Sequence, residues 1–149
     1  MCILFLCCNR PKDERMWLAL AHCFEKLGRR FNAIACLEQS ANLSQDSTLT
    51  FEKIATLYHE IGRREQAAEM YYKFLKKIIM EQNYDGSDLA MDYHKLESKK
   101  FTAANFLYSF WLEKRHFDQC EEVLQIIQDT EEGQKLMKEL KRITTHTSQ

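Results

Sequence analysis

The chain has 149 residues, 45% of them hydrophobic and 29% charged, with a formal net charge of −1. Such a length and composition suit a soluble globular domain with its own core. The near-neutral charge supplies no field for holding nucleic acid or an anionic membrane, so neither is expected as a partner. One Pro and four Gly in the whole chain leave long stretches without a breaker. No segment alternates as a strand does, and the expected fold class is all-α.

Residues 1–10, within "MCILFLCCNRP", are apolar as far as Cys8. They lack the positive start and small-residue exit of a signal peptide and are too short to span a bilayer. They read as the stub of a preceding helix whose start is missing. Cys7 and Cys8 belong to this stub. Cys23, Cys36 and Cys120 sit at apolar helical positions. This pattern suits reduced, buried thiols in a protein of the nucleus and cytoplasm rather than a disulfide framework.

Residues 14–47 form the first unit. Trp17, Leu20, Ala21 and Phe24 share one helix face, and Ala33, Leu37 and Ser40 share a face of the next helix. Between them stands "LGRR", with Gly28 in the place of a helix-ending residue that needs positive φ. The arginines that follow are expected to face the last carbonyls of the helix. Residues 48–81 repeat the pattern 34 positions later, with Phe51, Ile54, Ala55, Tyr58, Gly62, Ala67 and Tyr71. Phe74 then stands where Ser40 stood, and so bulky a residue is expected to open the packing there. Small residues let helices approach, and large ones fill the adjoining gaps. A 34-residue period of helix, turn and helix is the signature of the tetratricopeptide repeat (TPR), and the architecture it implies is an α-solenoid of helical hairpins.

Residues 82–100 form an insertion that extends a helix, with "NYDGSD" as a loop and Ser87 or Asp88 as its N-cap. Residues 101–129 form a weaker third unit carrying Ala104, Leu107, Tyr108, Trp111, Cys120, Leu124 and Ile127. Here Arg115 replaces the turn glycine and Tyr108 replaces the small partner. Cys120 lies 53 positions after Ala67, which is 19 more than one period. Residues 130–143 read as an amphipathic capping helix with Leu136, Leu140 and Ile143 on one side, and 144–149 as a disordered tail.

The stretch "RPKDERMWLALAHCFEKLG" and the later "REQAAEMYYKFL" and "DTEEGQKLMKEL" resemble the C-terminal repeats of the subunit-8 scaffold family of the anaphase-promoting complex (cyclosome). The resemblance covers about residues 10 to 142, with "RPKDERM" and "TEEG" its most specific parts. It implies a non-catalytic scaffold of a ubiquitin ligase in cell-cycle control. Its implied partners are the other subunits and the activators of that complex, received in the groove of a superhelix. Family members are several times longer, so the chain is expected to be a C-terminal fragment, a short isoform or a truncated gene model. The alternative is a free-standing TPR adaptor of co-chaperone type that binds an unrelated peptide.

In a TPR array the first helix of each pair lines the groove at positions not used for packing. The candidates are Arg15, Leu18, His22 and Glu25, then Leu49, Glu52, Thr56 and His59, then Thr102, Asn105, Ser109 and Leu112. Peptide segments are their expected ligands, beside the plainer reading of a solvated helix face. Glu52 would repel the terminal carboxylate that chaperone-type repeats hold. Catalysis finds no support: "HEIGR" lacks the second His of a zinc-protease helix and runs into a glycine turn. His22 and Cys23 point to different helix faces, and Cys23 and Cys36 form no paired motif, so no metal or other cofactor is expected. Tyr71, Tyr72 and Trp111 read as packing residues rather than base-stacking platforms.

Overall fold

The computed structural model describes residues 12–44, 47–80 and 93–147. These residues form seven α-helices and no strand. The chain divides into two compact units, Met1–Lys77 and Ile78–Gln149. The expected stub at 1–10 and the "NYDGSD" loop with its Ser87 or Asp88 cap lie outside the described residues.

The first unit opens with α1 (Glu14–Lys26), started by Asp13, whose carboxylate accepts the Arg15 backbone N–H at 3.1 Å. Glu14 in the first turn complements the helix dipole. Next come α2 (Arg30–Leu43), α3 (Thr48–Glu60) and α4 (Arg64–Met80). Ala21, Ala33, Ala55 and Ala67 are all 0% exposed. No side chain larger than a methyl stands between the helices at these four points, so the backbones pack closely. Leu37, Ile54 and Leu75 fill the gaps beside them, each almost wholly buried. Burying a side chain of this size is worth about 1.5–3 kcal/mol. Met16, Trp17, Phe24 and Tyr58 are half-buried and close the edges of this core. Phe74 is wholly buried.

The second unit contains α5 (Tyr93–Glu113), α6 (Phe117–Ile126) and α7 (Glu131–Thr147). Ala103, Ala104 and Leu107 of α5 and Cys120, Val123 and Leu124 of α6 are almost wholly buried. The Cys120 thiol donates to the Tyr108 carbonyl at 3.7 Å, which ties α6 to α5. Leu140 is buried, and Leu136 and Ile143 are half-buried on α7.

Three turns share one hydrogen-bond pattern. After α1, Arg29 N–H donates to Phe24 O at 2.9 Å and Gly28 N–H to Glu25 O at 3.0 Å. After α3, Arg63 donates to Tyr58 and Gly62 to His59 in the same way. After α5, His116 donates to Trp111 and Arg115 to Leu112. Each is a Schellman motif, which closes a helix by turning its last carbonyls onto the next two amides. The motif needs a left-handed residue. Gly28 (φ +73°) and Gly62 (φ +79°) adopt that conformation freely, and Arg115 holds it at φ +59° despite its side chain.

Residues 144–147 of the expected disordered tail at 144–149 are helical, because α7 runs through Thr147. The Thr144, Thr145 and Thr147 hydroxyls donate to carbonyls three or four residues back. The hydroxyls are thereby satisfied, and extending a helix that is already nucleated adds one backbone bond per residue, which outweighs the weak helix propensity of threonine.

Candidate protein-interaction surface

The groove candidates fall on stripes of identical spacing. On α1 they are Arg15, Leu18, His22 and Glu25, on α3 Leu49, Glu52, Thr56 and His59, and on α5 Thr102, Asn105, Ser109 and Leu112. Steps of three, four and three keep each set on one helix face. The buried Leu20 and Ala21, Ile54 and Ala55, and Ala103 and Ala104 occupy other faces of the same helices. Leu18, His22, His59, Thr102, Asn105 and Ser109 are exposed, and Leu49, Glu52, Thr56 and Leu112 are half-buried.

Within the first unit, an ion pair between Lys53 Nζ and Glu25 Oε1 at 2.9 Å links α3 to α1. The Thr56 hydroxyl donates to the Glu52 carbonyl at 3.0 Å and lies 3.5 Å from the Tyr71 hydroxyl of α4. Burial pushes the Tyr71 phenol up in pKa, so it stays a neutral hydrogen-bonding group. Arg15, with its side chain 80% exposed, folds back on Asp13 at 3.3 Å, and that hydrogen bond raises its pKa further. The stripe therefore offers apolar contacts at Leu18 and Leu49, hydroxyl and imidazole groups, and carboxylates at Glu25 and Glu52, the former paired with Lys53. This chemistry suits a peptide held by hydrogen bonds and a small apolar anchor. The α5 stripe belongs to the second unit.

Of the packing residues, Ala21, Ala33, Ala55, Ala67 and Cys120 are 0% exposed, and Tyr71 is buried. Trp17, Phe24, Phe51, Tyr58 and Trp111 are half-buried. Tyr58 donates to the Glu38 carboxylate of α2 at 3.0 Å, and burial together with this bond raises its pKa. Lys73 and Lys77 of α4 place their ammonium groups 6.0 and 5.7 Å from the Phe51 ring centre. Among the described residues, no group of three His, Cys, Asp or Glu is placed to hold a metal ion.

Two of the arginines after the first two turns, Arg30 and Arg63, meet side chains rather than the expected helix carbonyls. Arg30 reaches from α2 to Glu60 at the end of α3, Nε to Oε2 at 2.8 Å. The Arg63 guanidinium lies 6.0 Å from the centre of the Phe31 ring. The sequence signal for this corner is Phe31 itself, an aromatic placed outside the packing register.

Residues 14–47 match the family model of the tetratricopeptide repeat. No curated protein matches the chain. The matched segment takes in the whole α1–α2 hairpin, and the described residues form further hairpins through turns of the same geometry. The fold is all-α, built of tetratricopeptide-type helical hairpins, and the repeat that it carries is a protein-interaction module.

Proposed function

We propose that this chain is a non-catalytic scaffold segment of the anaphase-promoting complex, the ubiquitin ligase of cell-cycle control, in the line of its subunit-8 family. The observation that carries the reading is the pair of motifs "RPKDERM" and "TEEG", which stand at the starts of α1 and α7. Asp13 in the first is the cap of α1, and Thr130 in the second accepts the Gly133 amide. The repeat between them supports protein binding as the activity. Its partners are the other subunits and activators of the complex, bound through peptide segments on the α1 and α3 stripe, in the nucleus and cytoplasm.

Affinity purification of the tagged full chain from dividing cells tests this. Co-purification of cyclosome subunits, reduced by exchanging Leu18 and His22 for serine, is the expected result. A stable monomer that captures none of them sinks the reading and leaves the free-standing adaptor.

A further inference from the structure

We infer that the first hairpin corner, built from Phe31 and Ile61 and rimmed by Arg29, Arg30 and Arg63, is a second docking surface, which takes an acidic segment of a partner protein bearing an aliphatic or aromatic side chain. None of these residues belongs to the stripe proposed above. The corner holds a shallow pocket of about 380 Å³ lined by Gly28, Arg29, Arg30, Phe31, Asn32 and Ile61. Phe31, in the first turn of α2, is 60% exposed, and Leu27, just before Gly28, is 70% exposed. Two large apolar groups held in water on a structured turn lose nothing further when a partner covers them, and they gain by burial.

Charge selects the partner. Residues 26–31 and 59–65 carry five Lys and Arg against two Glu, on a chain whose net charge is −1. One of those carboxylates, Glu60, is already engaged by Arg30. The start of α2 adds to the positive potential. Its cap, Arg29, contributes no side-chain hydrogen bond, and its first turn has no acidic residue. The arginines are also positioned, one by Glu60 and one against the Phe31 ring. Planar guanidinium groups fixed beside an apolar floor suit carboxylates that flank a hydrophobic side chain.

The probe is a fluorescein-labelled hexapeptide, Glu-Glu-Asp-Phe-Glu-Glu, titrated with the full chain and read by fluorescence polarisation. Binding is expected at low ionic strength and weakens as salt is added. The double variant Arg29→Glu, Phe31→Ala lowers affinity about tenfold or more, while Leu18→Ser on the stripe leaves it unchanged. All three side chains are exposed, so thermal melting of each variant stays at the wild-type value. Absence of binding, equal binding of a peptide with glutamine for every acid, or undiminished binding by the double variant overturns the proposal. So does an oligonucleotide of equal charge that binds more tightly through the same residues, or a self-association of the chain that the double variant abolishes. Cyclosome capture that survives the double variant leaves the scaffold reading intact, so the two readings fail separately.

Discussion

The backbone amide of Gly133 donates to the Thr130 hydroxyl at 3.0 Å, and that hydroxyl donates to the Ile127 carbonyl at 2.7 Å. Thr130 thus starts α7 and joins it to the end of α6. The chain approaches itself so closely here that a Cβ on Gly133 would collide with the Ile127 carbonyl. Gly133→Ala is expected to lower stability by about 1–3 kcal/mol, as overpacking does, and Thr130→Val by about 1 kcal/mol through loss of the cap. Urea denaturation measures both, and wild-type midpoints would refute the close approach.

Arg115 and Gly62 occupy equivalent turn positions, with φ +59° and +79°. Arg115→Gly relieves a left-handed strain but frees the unfolded chain, for a net gain on the order of 0.5 kcal/mol. A Cβ at Gly62 meets nothing within 4 Å, so Gly62→Ala costs only the backbone conformation, about 1 kcal/mol. Opposite signs in thermal melts are the expected outcome.

Ala33 and Ala67 are 0% exposed, one period apart. Ala33→Leu and Ala67→Leu should each cost about 1–3 kcal/mol by forcing helices apart. Unchanged melting in both would undermine the repeat register.

Cys120 is fully buried, and burial pushes its thiol up to about 11 from 9.0. A folded pKa above the unfolded one favours the protonated, folded state. That stabilisation is complete below pH 9 and is lost as pH rises toward 11, on the order of 2 kcal/mol. Cys120→Ala should therefore lose less stability than wild type between pH 8 and 10. The native thiol should also resist iodoacetamide at pH 8 until the chain is unfolded.

The Tyr108 hydroxyl is buried with no hydrogen-bond partner among the described residues. Burial raises its pKa, with Glu139 adding to the shift. Tyr108→Phe removes an unsatisfied polar group while keeping the ring, and should stabilise the chain by about 1 kcal/mol. A destabilised variant would reveal a bond to that hydroxyl.

The fold class was legible because its determinants are local and periodic. Gly28 and Gly62 mark turns that need positive φ, and the alanines mark close contacts, one period apart. Arg115 was visible as a substitute for glycine, but its left-handed backbone was not, since only the Schellman bonds and packing of the second unit enforce it. The helix through Thr147 is not legible because composition reports the weak propensity of each residue and not the ease of extending a helix already formed upstream. The stripe was readable as spacing. The Arg63–Phe31 and Arg30–Glu60 contacts were not, since each joins residues about thirty positions apart whose meeting depends on how α2 and α3 pack.

The Schellman turns separate two things that most loops combine. Each turn is held by backbone hydrogen bonds and one left-handed residue, with open space around Gly28 and Gly62. The exposed side chains just past the glycine, at 29–32 and 63–66 except the half-buried Gln66, therefore bear little of the folding energy. Substitutions there change the surface chemistry of a corner with little effect on stability, while the helices between the turns stay fixed.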